Sequence, residues 1–106
     1  MDLANKSCVP CQEGGKALSA EQISTLNTHL DAWTVVDDHH LSKAYAFNDF
    51  AQALDFVNKV GEIAETQNHH PDLSFGWGKA QVIIYTHAVN GLHENDFILA
   101  AKIDRI

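Results

Sequence analysis

Residues 48–71, NDFAQALDFVNKVGEIAETQNHHP, decide the fold. Phe50, Ala53, Leu54, Val57, Val60, Gly61 and Ala64 recur at three- and four-residue steps. They form one apolar stripe of an amphipathic helix, about four turns long, with Asn48 as its expected cap. The helix must stop by His70, because Pro71 disfavours helical angles at the residue before it. Downstream, Leu73, Phe75 and Trp77 alternate as a short strand, and Gly78-Lys79 is the expected turn. Ala80 to His87 then forms the next strand. Its Ala80, Val82, Ile84 and Thr86 face one way, and Gln81, Ile83, Tyr85 and His87 the other. After Asn90-Gly91, residues 95–103 form a last helix with Phe97, Ala100, Ala101 and Ile103 as its stripe. Upstream, Ser19-Ala-Glu-Gln22 is a capping-box pattern opening a short helix with Ile23, Leu26 and Leu30 on one face. Residues 33–36 are β-prone, Asp37-Asp38 suits a turn, and residues 41–47 alternate, with Leu41, Lys43, Tyr45 and Phe47 on one face. The order is α-β-β-α-β-β-α. Two hairpins and three amphipathic helices predict an α+β fold, a four-stranded antiparallel sheet with three helices on one face. The other face would carry Ile83 and Tyr85 uncovered, which predicts an oligomer interface.

The chain has 106 residues, so one domain, read as residues 19–106, with residues 1–18 as a flexible tail. Acidic residues outnumber basic ones 14 to 7, which argues against a nucleic-acid binder. No apolar run approaches the roughly 20 residues that span a bilayer, and the N-terminus lacks the apolar core of a signal peptide. The cytoplasm is therefore the expected compartment. The only cysteines form Cys8-Val9-Pro10-Cys11. A lone CxxC can be half of a zinc site, a redox pair or a reduced tail. No strand precedes it here, which favours the tail.

Histidine is abundant, 7 residues against 7 Lys and Arg together. Its unperturbed pKa, about 6.5, suits proton transfer near neutrality. His69-His70-Pro71 places two imidazoles on a stiff turn after the long helix. Glu65 lies four residues before His69, the helical spacing that would let its carboxylate orient that ring. Thr86-His87 ends the fourth strand, and Asp96 opens the last helix. Three imidazoles and two carboxylates at element ends fit a general acid–base site; they also fit a His/carboxylate metal site. His39-His40, beside Asp37-Asp38, and His29, after the first helix, read as surface residues.

Glu65-x-x-x-His69-His70-Pro71-Asp72, then Thr86-His87, then Gly91-Leu92-x-x-x-Asp96, resembles the pterin-4a-carbinolamine dehydratase family. Trp33, Phe47-x-Asp49-Phe50-x-x-Ala53-x-x-Phe56 and the closing Ala100-Ala101-Lys102-Ile103-Asp104 resemble it too. The resemblance covers residues 19–106. It implies the α+β fold read above, in homodimers or homotetramers, and removal of water from 4a-hydroxytetrahydropterin to give quinonoid dihydropterin. That reaction recycles the cofactor of aromatic amino acid hydroxylases, so such a hydroxylase is an implied partner; no cofactor or metal is implied. Carried onto this chain, His69 and His87 are the acid–base pair and His70 positions the pterin. Glu65 orients His69, and Asp96 holds the His87 side. Trp33 offers a flat wall, and Asn68, Tyr85, Thr86 and Ala88 complete the substrate contacts. His93 stands where many members have Thr or Ser, and is expected to be a poorer helix cap. The alternative is a non-catalytic dimerisation or assembly cofactor of the same fold.

Overall fold

The computed structural model describes residues 2–9 and 15–106. Its elements are α1 (Ala20–Asn27), β1 (Thr34–Val36), β2 (His40–Ala46), α2 (Phe50–Gln67), β3 (Asp72–Gly76), β4 (Lys79–Ile84) and α3 (Glu94–Ile103). Two single 3-10 turns, Leu3–Asn5 and His87–Val89, were not foreseen. The expected order and antiparallel pairing hold. The sheet runs β1-β2-β4-β3, so the two hairpins join through β2 and β4, with Leu41 opposite Ile84 and Tyr45 opposite Ala80.

Local chemistry sets the boundaries. Ser19 caps α1 through the expected capping box with Gln22. At α2 the cap is Asp49 rather than Asn48: Asp49 Oδ1 accepts from Gln52 N at 2.9 Å, while Asn48 N donates to Gln52 Oε1. The β1–β2 turn places Asp37 and Asp38 both at φ 53°, the paired left-handed residues of a hairpin turn that Asp tolerates well. The second hairpin turns at Trp77-Gly78, one residue earlier than expected, with Gly78 at φ +75°. Trp77 is therefore exposed at the tip instead of closing β3.

The core lies between one sheet face and the helices. Leu41, Ala80, Val82 and Ile84 of the sheet meet Ala53, Phe56, Val60 and Ala64 of α2 and the apolar run of α3. The expected α3 stripe was too narrow: every residue from Asn95 to Ala101 is buried. The reason is the N-terminal segment. Leu3 is 2% exposed and packs against α3. Lys102 Nζ donates to Ala4 O at 2.8 Å, and Lys6 pairs with Glu94. Residues 2–9, read as part of a flexible tail, thus carry core contacts. Leu18 N donates to Leu92 O at 2.8 Å as the chain returns across α3's entry. A Cβ on Gly91 would come within 2.8 Å of Ala17 Cβ there, so the close crossing requires glycine.

Candidate active site

α2 ends at Gln67, and Asn68 turns left-handed (φ 52°, ψ 40°). Asn68 N donates to Glu65 O and His69 N to Ala64 O, the crossed pair of a Schellman cap. Asn is one of the few side chains that accept this conformation without glycine. The chain leaves the helix axis there, and Pro71 leads it into β3. His69 and His70 are therefore presented on a short rigid turn. Across from them, β4 ends and the chain closes a tight loop. Thr86 N donates to Gly91 O at 2.8 Å and Gly91 N returns to Thr86 O at 3.3 Å. His87 stands at the start of this loop, its ring against Tyr85 at 4.4 Å between centroids.

Asp96 joins the two halves. It is 0% exposed and lies in the first turn of α3. Its Oδ1 accepts from His69 Nε2 at 2.5 Å; its Oδ2 accepts from Thr86 Oγ1 at 2.9 Å and from His93 N at 2.8 Å. A buried carboxylate with three donors is satisfied in the way burial demands. A carboxylate only accepts, so this bond is made with a proton on His69 Nε2. The second carboxylate, Glu65, accepts from His70 Nε2 at 2.5 Å in a far more exposed setting.

This pairing corrects one expectation and widens another. Glu65 orients His70 rather than His69, because the left-handed Asn68 ends helical spacing before His69 is reached. Asp96 holds the His87 side through Thr86, as expected, and backs His69 as well, because the start of α3 packs beneath the end of α2. His93 is a working cap: its Nδ1 accepts from Asn95 N at 3.0 Å while Asp96 closes the capping box. The hairpin histidines are also less free than expected. His39 packs on Tyr85 at 4.7 Å, and its Nε2 lies 3.2 Å from Asn90 Oδ1.

His69, His70 and His87 line one cleft of about 610 Å³ together with Asn68, Tyr85 and Thr86. Ala88 is not among its lining residues, and Trp33 lies elsewhere. The Trp33 ring is buried, its Nε1 donates to Asp104 at 2.9 Å, and Lys43 bridges the same carboxylate at 3.2 Å. Trp33 thus fastens the end of α3 to the sheet and does not line this cleft. The neighbouring Tyr45 phenol is pushed above the usual tyrosine range, by burial first and then by Asp104 and Asp31. The cleft also includes Cys8 of the CxxC, read above as part of the tail, and Val9, Gln67, Asp72 and Asn95, none of which was expected as a site residue. Cys11, the other half of the CxxC, lies outside the described residues. Among the described residues no three His, Cys, Asp or Glu side chains converge as metal ligands. No helix among them is long and apolar enough to cross a membrane.

Residues 16–106 match the family model for pterin 4 alpha carbinolamine dehydratase. A relative from Rubrobacter xylanophilus, assigned by name to pterin-4-alpha-carbinolamine dehydratase, is 52% identical over 99% of this chain and 98% of its own. A relative from Methylococcus capsulatus with the same assignment is 47% identical over 98% of this chain and 92% of its own. Among solved structures, a protein described as a transcriptional coactivator/pterin dehydratase from Brucella melitensis superposes with TM-score 0.79. It is 27% identical, over 85% of this chain and 97% of that one. A pterin dehydratase-like protein described as a RuBisCO assembly factor of the alpha-carboxysome shares the fold at TM-score 0.60 and 23% identity, over 73% of this chain and 90% of that one. The chain belongs to the pterin-4-alpha-carbinolamine dehydratase family.

Proposed function

We propose that the cleft dehydrates a 4a-hydroxytetrahydropterin to the quinonoid dihydropterin, returning the pterin to the cycle of an aromatic amino acid hydroxylase. In the reaction the C4a–O bond breaks, a proton joins the departing hydroxyl to make water, and a ring nitrogen gives up its proton. No net proton is consumed, so a base and an acid in one cleft suffice. The observation that carries this reading is His69 backed by the buried Asp96 carboxylate, in a cleft shared with His70 and His87. Asp96 fixes the His69 tautomer and stabilises the imidazolium that forms when His69 accepts a proton. His69 is accordingly the base. His87, beside Tyr85, supplies the proton to the leaving oxygen; His70, steadied by Glu65, holds the substrate between them.

The test is the ultraviolet decay of a 4a-hydroxypterin with wild type, His69→Ala and His87→Ala. Each substitution is expected to slow the protein-dependent rate by about 10² or more, with circular dichroism unchanged. Wild-type rates in both variants would overturn the assignment. Absence of turnover by the wild-type protein, with a stable protein partner captured, would favour the assembly role.

A further inference from the structure

We propose that the N-terminal strap, residues 2–9, is a substrate-contacting wall of the cleft, and that Asn95 is the positioning residue that holds it there. The proposal rests on the dehydratase reading and adds a part of the site that lies outside residues 16–106, which the family model matches.

Asn95 is 2% exposed, yet its side chain is polar at both ends. Its Oδ1 accepts from Val9 N at 3.0 Å and its Nδ2 donates to Val9 O at 2.6 Å. One amide thus pairs with both backbone groups of one residue, as a neighbouring strand would. Cys8 N donates to Gln67 Oε1 at 2.9 Å, so the strap is held from the other side as well. The two anchors adjoin the chemistry: Asn95 immediately precedes Asp96, and Gln67 stands two residues before His69. The end of a strap gripped by these residues is fixed relative to the imidazoles. Leu3 in the core and Lys102 on Ala4 O hold its beginning.

What the strap offers the cleft is apolar surface. Val9 is 58% exposed and lines a cleft whose lining also carries imidazole, hydroxyl and carboxylate groups. A flat heterocycle needs its polar edge at the histidines and something apolar to cover it. Exposed Val9 and half-buried Cys8 provide that cover, and placing it correctly is a reason to bury an amide at position 95, where a hydrophobic residue would otherwise serve.

Two variants test this. Asn95→Ala releases the strap from α3, and Val9→Ala trims the wall while leaving both backbone bonds in place. We expect KM for the 4a-hydroxypterin to rise about tenfold in the first and about threefold in the second, with kcat within about threefold of wild type, the pattern of lost uniform binding. Hydrogen exchange gives a readout independent of turnover. In wild type, 7,8-dihydrobiopterin should slow exchange at the Cys8 and Val9 amides; in Asn95→Ala these amides should exchange fast with or without it. Protection by the pterin confined to residues 68–87, with KM unchanged in both variants, would overturn the strap alone. Loss of turnover and of pterin protection throughout the wild-type protein would overturn the dehydratase reading and the strap with it.

Discussion

Asp96→Asn is the most discriminating substitution, because it preserves shape and changes only hydrogen-bond roles. Asp96 Oδ1 serves His69; Oδ2 serves Thr86 and His93 N. An amide cannot satisfy all three. With its oxygen toward His69, its NH2 faces the His93 N–H, and a donor inside the α3 capping box loses its acceptor. With the amide turned over, the box survives, but the NH2 faces His69 Nε2 and forces the ring proton onto Nδ1. The first arrangement leaves a buried donor unsatisfied, about 1–3 kcal/mol, and both replace a charge-assisted bond by a weaker neutral one. The expected loss is about 2–4 kcal/mol, or a fall in Tm of about 10–25 °C for a domain of this size. Turnover should fall about 10²–10⁴-fold, since either the base or its tautomer is wrong. Thermal unfolding followed by circular dichroism reads the first number and pterin decay the second. Nitrogen-15 shifts of the His69 ring show which arrangement is adopted. A variant within about 0.5 kcal/mol of wild type and within threefold of its rate would refute the central role given to Asp96.

The contrasting carboxylate pair should behave differently. Glu65→Gln breaks a pair whose side chains are 79% and 54% exposed, so urea midpoints should shift by less than about 1 kcal/mol and turnover by less than about tenfold. Trp33→Phe removes the bond to Asp104 while keeping most of the buried ring; it should cost about 1–2 kcal/mol in chemical unfolding and leave KM unchanged. Tyr45 Oη is buried and has no hydrogen-bond partner among the described residues, so Tyr45→Phe should be neutral or stabilising. Its phenol holds its proton more tightly folded than unfolded, so the associated stability is complete below about pH 10 and is lost as pH rises beyond. Urea midpoints measured from about pH 8 to pH 11 should therefore fall less steeply in Tyr45→Phe. Leu3→Ala empties a buried site at a chain end that can partly collapse, and a loss near 2 kcal/mol in thermal unfolding is expected.

Much of the fold was legible because it is written in local periods. The α2 stripe, the Ser19 capping box and the alternation of Leu41, Lys43, Tyr45 and Phe47 need only neighbouring residues to be read. The site was legible as a set of residues and misread as a set of pairs. Glu65 and His69 have helical spacing, but Asn68 adopts the left-handed conformation between them, and the i,i+4 rule ends where the helix does. The true partner of His69 lies 27 residues away. It is brought there by α3 packing under α2, which no local pattern records. His39 was read as a surface turn for a similar reason. With Leu41 opposite Ile84, the next residues outward are His40 and Tyr85, and His39, one residue further along the turn, packs on the same Tyr85 ring. That register is a property of the β2–β4 pairing and not of either segment alone.

The N-terminal segment had a readable cause that a forward reading passes over. Phe97-Ile98-Leu99-Ala100-Ala101 has no polar side, and a helix that is apolar all round must be covered all round. The sheet, α1 and α2 cover part of α3. The remaining cover must come from chain not otherwise placed, and that is the segment before Ser19, where Leu3 supplies the apolar group. Once Leu3 is seated against α3, the next few residues can only run along that helix toward its N-terminal end. There Asn95 takes Val9 and Gln67 takes Cys8. The segment thus arrives at the cleft because the last helix needs a second cover, and Asp96, in that helix's first turn, makes its entry and the His69 imidazole parts of one hydrogen-bonded unit. Stability and substrate contact in the strap are therefore separable by position. Changes at Leu3 should act on unfolding, and changes at Val9 on KM.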